Sequence, residues 1–318
     1  MKILILGAAA GGGFPQWNSN DEAAHRARAG DPFVRPQTQS SLAVSADGRR
    51  WVLFNASPDL RQQINDNAAL QPRRNDSLRA SPLSAVVLTN ADVDHVAGLL
   101  NLRESQPLAL YGHARVLDVL ARNSIFQVLN PAFVAQRPLT PETWETIRDR
   151  EGRDLGIVVR AFAVPGKVAL WLEDAGAPGL GTADGDTLGL EIFSNGRSFF
   201  YIPACAAMTP DLAARLCGAG LVFFDGTLWR NHEMITAGVG TKTGQRMGHM
   251  SCIDTIAAFH DLNVKRKLFI HINNTNPLLI GNSPERHQAL ASGWEVAHDG
   301  MEITLEHRPE RALAQAGI

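Results

Sequence analysis

The residues best suited to chemistry stand close together in "VVLTNADVDHVAGLL", Val86 to Leu100. An apolar run ends at Thr89, and Asp92, Asp94 and His95 follow within four residues. A second apolar stretch begins at Val96. A strand, a turn carrying two carboxylates and an imidazole, and a helix start would fix a metal-binding turn between two rigid elements. Asp92 and Asp94 share a parity and would point the same way in an extended turn. Two oxygens and one nitrogen suit iron, manganese or zinc. The same residues also fit a surface acidic loop with a helix-capping Asp. Three later residues favour the metal. Asp225 follows "LVFF", His271 sits in "LFIHINNTNP", and His249 lies in "RMGHMS" before an expected helix.

The elements that must position these groups are short strands punctuated by Gly, Pro, Asn and Asp. Strands are expected at Lys2–Gly7, Ser40–Gly48 and Arg50–Ala56, the last two joined by a hairpin at Asp47-Gly48. Ser57 and Pro58 look like an N-cap and first helical residue. A strand at Ala85–Asn90 leads to a helix over Val96–Glu104, then a strand at Leu108–Gly112 and an amphipathic helix beyond it. Strands at Gly156–Val164, Leu188–Ser194, Ser198–Pro203, Leu221–Gly226 and Lys267–Ile272 alternate with helices at Thr209–Cys217 and Ser251–Leu262. Early hairpin order followed by βα alternation in both halves points to an α/β chain, two sheets packed together with helices outside.

Composition excludes several classes. At 45% hydrophobic and 19% charged residues the chain is an ordinary globular sequence, and 318 residues fit one large domain or two small ones. A net charge of -2 gives no reason to expect nucleic acid or an anionic membrane as partner. Cys205, Cys217 and Cys252 are too few and too scattered for a disulfide framework, and a reducing, cytoplasmic setting fits. The N-terminal apolar run is shorter than the roughly 7–15 residues of a signal-peptide core, and no run of about 18 apolar residues predicts a membrane span. "GAAAGGGFPQW" matches neither phosphate-loop pattern. Its backbone is expected at the rim of the site, with Phe14 and Trp17 either shielding the pocket or packing in the core.

Strand, ligand motif, helix and later Asp and His ligands resemble the plan of the metallo-β-lactamase superfamily. That resemblance implies an αββα sandwich, two mixed sheets face to face with helices outside, in a single domain over 1–318. It also exposes departures. Where the superfamily motif has histidines, this chain has Asn90 and Asp92; the motif aspartate is Asp94 and its last histidine His95. Lys167 stands for a later histidine, and Pro203-Ala204-Cys205 stand where a bridging aspartate is expected. A two-metal hydrolase site is therefore incomplete, whereas one metal held by Asp92, Asp94, His95 and His271 is plausible. "GGGFPQWN", "TNADVDHVAGLL", "FFDGTLW", "GHMS" and "HINNTNP" together resemble the pyrroloquinoline quinone (PQQ) biosynthesis protein B family along almost the whole chain. Members of that family commonly carry cysteines after "FPQWN", read as a structural zinc site; here Ser19, Asn20 and Asp21 occupy those places. Asp21, Glu22 and His25 offer at most weak ligands.

The resemblance implies hydroxylation of the tyrosine ring of a cross-linked glutamate–tyrosine intermediate, using one divalent metal, Fe(II) before Zn or Mn, with molecular oxygen as co-substrate. The alternatives are a carrier of PQQ or its precursor to the periplasm, and a metal-dependent hydrolase. Mixed carboxylate and histidine ligands resemble the open iron sites of oxygenases. A substrate with several carboxylates would be met by Lys242 and Arg246, on the Gly-rich stretch before His249, and by Lys167. His249 would shuttle a proton and Asp225 would hydrogen-bond a ligand imidazole from behind. The partner is thus a small molecule, this diamino acid or PQQ, and a homodimer is compatible.

Overall fold

The computed structural model describes residues 1–167, 180–182 and 185–306. Within them, two seven-stranded sheets lie face to face. The first contains β1 (Lys2–Gly7), β2 (Ser41–Ser45), β3 (Trp51–Phe54), β4 (Leu83–Val87), β5 (Leu108–His113), β6 (Val134–Leu139) and β16 (Glu302–Thr304), in the order β16-β1-β2-β3-β4-β5-β6. The second contains β7 (Trp144–Arg148), β8 (Asp154–Ala163), β11 (Leu188–Ser194), β12 (Arg197–Ile202), β13 (Val222–Asp225), β14 (Lys267–Ile270) and β15 (Trp294–Val296), in the order β15-β14-β13-β12-β11-β8-β7. A small ribbon joins β9 (Gly166–Lys167) and β10 (Leu180–Thr182). Both large sheets are mixed: β3 to β6 run parallel, as do β12 to β15, while the remaining pairs are antiparallel.

Strand parity explains the layering. Ile3, Ile5, Val44, Val52, Phe54, Ala85 and Val87 of the first sheet interleave with Ile157, Val159, Leu190, Ile192, Tyr201 and Phe223 of the second. The alternate residues of the same strands face outward and stay buried, because helices cover them. Leu4, Leu53, Val86 and Leu110 pack under α2 (Leu60–Asp66), α3 (Val93–Val96) and α4 (Ala114–Arg122). Phe162, Phe200, Phe224 and Phe269 pack under α1 (Glu22–Arg28), α5 (Pro210–Leu216), α7 (Cys252–Ala258) and α8 (Pro284–Ala291). A short α6 (Glu233–Thr236) lies near the site. The expected αββα sandwich is what forms. No described helix is long and apolar enough to cross a membrane.

Two boundaries differ from expectation. Helix α2 starts at Leu60 with Asp59 at its cap, and Ser57 Oγ instead accepts from the Asp59 N–H at 3.2 Å. The helix expected over Val96–Glu104 is the single turn α3 followed by a 3-10 segment, Ala97–Leu102. Close packing constrains that turn: Gly98 N–H donates to Ala56 O at 2.9 Å, and Ala56 N–H donates to His95 O at 2.7 Å. A Cβ at Gly98 would lie 2.1 Å from the Ser57 carbonyl. Gly98→Ala is therefore expected to destabilise the chain by about 1–3 kcal/mol or more, and to loosen the ligand turn. Urea denaturation beside a metal titration checks this; an unchanged midpoint would refute the packing argument.

The edge of the first sheet is pinned by Asp299. Its carboxylate accepts from Ala8 N at 3.0 Å and Thr38 N at 2.6 Å. Burial pushes its pKa up to about 6, against those two N–H groups and with help from the charge of Asp59. A raised folded pKa favours the folded state below the unfolded value near 4, and that contribution fades as pH climbs through about 6. The span of about two units corresponds to at most about 3 kcal/mol. Asp299→Asn is expected to flatten the stability profile between pH 4 and 6.5. It also places an amide N–H against a backbone donor, so its midpoint at pH 4 falls. Urea melts across that range read both effects, and an unaltered slope would remove Asp299 as their cause.

Candidate metal centre

The ligand-type residues collect at the carboxyl ends of parallel strands in the two facing sheets, where α/β proteins commonly bind ligands. β4 leads into Thr89–His95, β13 ends in Asp225, and His271 directly follows β14. The continuation of β1 closes the gap between the sheets, because Ile272 N–H donates to Ala8 O and Ala10 N–H to Ile272 O, both at 2.8 Å. His271 is held at φ 61°, a strained region for a non-glycine residue.

Asp94, His95 and His271 each offer a ligand atom within 4.8 Å of the others. His271 Nε2 lies 2.9 Å and His95 Nε2 3.9 Å from Asp94 Oδ2. The hydrogen bonds behind the rings set the tautomers. Asn90 Oδ1 accepts from Asp92 N at 3.1 Å, and Asn90 Nδ2 donates to Asp92 Oδ2 at 3.1 Å, which fixes the amide orientation. His95 Nδ1, 2.6 Å from Asn90 Oδ1, must then carry the proton and donate it. That leaves Nε2 as a bare lone pair, and this buried atom has no hydrogen-bond partner. Thr227 Oγ1 stands behind His271 in a similar way, while His271 Nε2 donates to Asp94 Oδ2 at 2.9 Å, a proton that a bound cation would replace. The Thr227 hydroxyl donates to Asp225 Oδ1 at 2.7 Å, so its oxygen accepts from His271 Nδ1 at 2.7 Å. Both imidazoles thus turn Nε2 toward Asp94. An orphaned, buried lone pair beside a carboxylate and a second imidazole is the arrangement a divalent cation requires.

Electrostatics favour the ligand forms of Asp94 and His95. Burial works against charge on Asp94, but His95 and His271 hold its carboxyl well below the usual carboxylate range. Burial outweighs the attraction of Asp94 at His95 and lowers its pKa to about 4, so the ring is neutral near neutral pH. His271 moves upward, because the Asp94 carboxylate overcomes its burial.

A second imidazole system abuts the first. Asp225 is fully buried and accepts from Cys205 N at 2.9 Å, Thr227 N at 3.0 Å and His249 Nδ1 at 2.8 Å. The His249 ring stacks on His271, centroids 5.2 Å apart. Asp225, His249 and His271 form another group of ligand-type atoms within 4.8 Å. Both groups open on a cavity of about 430 Å³ lined among others by Ala10, Gly11, Lys167, Lys242, Ala204 and Asn273. That volume suits a small organic molecule.

Comparison with known proteins bears on this arrangement. Residues 50–272 match the β-lactamase superfamily domain. The chain is 54% identical over 309 residues to coenzyme PQQ synthesis protein B of Xanthomonas oryzae pv. oryzae, covering 96% of this chain and 100% of the relative. It is 52% identical over 307 residues to the protein of the same name from Gluconacetobacter diazotrophicus, covering 96% and 99%. The chain belongs to the coenzyme PQQ synthesis protein B family. A solved structure of the family, the zinc-bound PqqB of Methylobacterium extorquens, superposes with a TM-score of 0.90 at 49% identity over 96% of this chain and all of that one. A diphosphatase of the PhnP family, at 18% identity and TM-score 0.67, shares the fold.

Not every residue expected at the site joins a ligand group. Asp92 is not in either ligand group; its carboxylate meets Asn90 and the Lys167 ammonium, 3.4 Å away, while still lining the cavity. Lys242 and Lys167 line the cavity, but Arg246 lines a neighbouring one with Pro165 and Thr209. A 3-10 turn over Gln245–Met247, closed by Gly248 at φ 88°, separates the two. Phe14 is 2% exposed in the outer core of the second sheet and Trp17 is 86% exposed, so neither ring shields the pocket; Ala10 and Gly11 form that rim. The loop lacking the family's cysteines is a helix cap: Asp21 accepts from Ala24 N at 2.7 Å and His25 meets Asn20 at 2.9 Å. Thr227 and Asn90 were missed as tautomer-setting residues. The only signal in sequence was their position beside ligand-type residues.

Proposed function

We propose that the chain acts in PQQ biosynthesis as a metal-dependent oxygenase that hydroxylates the tyrosine-derived ring of a cross-linked glutamate–tyrosine intermediate. The observation that carries this reading is the convergence of Asp94 Oδ2 with two imidazole Nε2 atoms, one carboxylate and two histidines, the donor set of non-heme iron oxygenases. Asp94, His95 and His271 would hold the ion, and Fe(II) bound there would supply the activation of dioxygen.

The chain's own residues do the rest. Lys167 and Lys242 line the cavity and suit substrate carboxylates, with Lys167 steadied by Asp92. His249, its Nδ1 proton donated to Asp225, presents Nε2 as the base that takes up the proton displaced from the ring. One oxygen atom enters the ring C–H bond. The other leaves as water, with two protons and two electrons from an external reductant, for which ascorbate is the probe.

The test is oxygen uptake by anaerobically purified protein loaded with Fe(II) or Zn(II), given the cross-linked diamino acid and ascorbate. Uptake with a hydroxylated product in the iron form alone is expected. Phosphodiester or ester cleavage by the zinc form, without oxygen uptake, would support a hydrolase instead. Tight PQQ binding without metal or turnover would support a carrier.

A further inference from the structure

A cavity of about 220 Å³ shares no lining residue with the metal pocket. Arg35, Arg286, His298 and Gln37 line it, together with Gly281 and Phe33. No carboxylate is among its lining residues. Neither arginine forms an ion pair among the described residues.

The placement is unfavourable without a counter-charge. Arg286 sits in the first turn of α8, where the helix dipole favours acids rather than cations. Its guanidinium is half-buried, and one nitrogen donates to Leu278 O at 2.7 Å. Burial and the neighbouring Arg35 both depress its pKa, so two cations face each other in a partly desolvated site. Nearby carboxylates are committed elsewhere: Asp31 pairs with Arg26 at 2.7 Å, and Asp299 is tied to Ala8 and Thr38. An anion in the cavity would attract both guanidiniums and offset their mutual repulsion.

We propose that this cavity is a binding site for a compact oxyanion, a carboxylate or phosphate group, gripped by Arg35 and Arg286. The volume lies below that of sites for drug-sized molecules, and guanidinium forks match both oxyanions.

The test titrates inorganic phosphate and, separately, malonate into the full chain by calorimetry and thermal melting, with ionic strength held constant by sodium chloride. Saturable binding and a melting temperature that rises with ligand are expected for one or both probes. Which probe binds more tightly decides between a phosphate and a carboxylate ligand. Arg35→Gln, on an exposed side chain, is expected to fold normally, keep its metal, and bind about tenfold more weakly or worse. Arg286→Lys keeps the charge but loses the fork and should fall between. No saturable binding of either probe, or equal binding by wild type and Arg35→Gln, would overturn the proposal.

Discussion

His271→Ala is expected to strip the centre of its metal. The substitution removes one of the three ligand atoms that lie within 4.8 Å of one another. It also removes the imidazole that, with His95, holds Asp94 ionised against its burial. Loss of an outer-shell partner alone commonly costs roughly 10–100-fold in metal affinity, and loss of a ligand should cost more. Metal content after dialysis, with a chelator competition, reads the effect. His271→Gly separates ligand loss from backbone strain. Glycine accepts φ 61° without the penalty of about 1–2 kcal/mol that alanine meets there, so this variant should melt above His271→Ala while binding metal no better. Full metal occupancy in either variant would remove His271 from the site.

Asp225→Ala is expected to give the largest loss of stability. Its carboxylate is wholly buried and satisfies Cys205 N, Thr227 N, the Thr227 hydroxyl and His249 Nδ1. Alanine leaves the Cys205 and Thr227 N–H groups unpaired inside the second sheet, at about 1–3 kcal/mol each, while the Thr227 hydroxyl can turn to His271 O, so a total of about 2–6 kcal/mol is expected. Asp225→Asn keeps one oxygen and most of the fold. Its NH₂ must then face either Cys205 N–H and His249 Nδ1, which share Oδ2, or the Thr227 N–H and hydroxyl, which share Oδ1, and the first choice reverses the histidine tautomer. Under the proposed chemistry, Asn therefore loses turnover out of proportion to its melting temperature. A stability for Asp225→Ala within about 1 kcal/mol of wild type would show that these donors are not held as described.

The fold was largely legible because its strands obey a period of two on both faces. "KILILG" and "LGLEIFS" read as strands and form β1 and β11 with those bounds. Helix α4 was equally legible, since Val116, Leu117 and Leu120 form one buried stripe. The helix after the ligand turn was less so, because Gly98 packs on the Ala56–Ser57 backbone and favours a tighter 3-10 course. Asp94, His95 and His271 were legible as residue types at element ends. Asp92 lines the same cavity but stands outside both ligand groups. Helix α3 begins at Val93, so Asp92 is its cap; two helical steps turn through about 200°, not the full turn that gives a strand's alternate residues a common face.

The sequence by itself determined the sandwich, the family resemblance and the ligand types, since apolar periodicity and local motifs are properties of neighbours along the chain. Tertiary structure decided which groups converge. Asp94 and His271 are 177 positions apart and meet only because parallel strands in two sheets end at the same edge. The bare Nε2 of His95 and the orientation of the His271 ring were likewise decided there, by Asn90 behind one ring and Thr227 behind the other. A tautomer depends on a partner in space, which chain order does not specify.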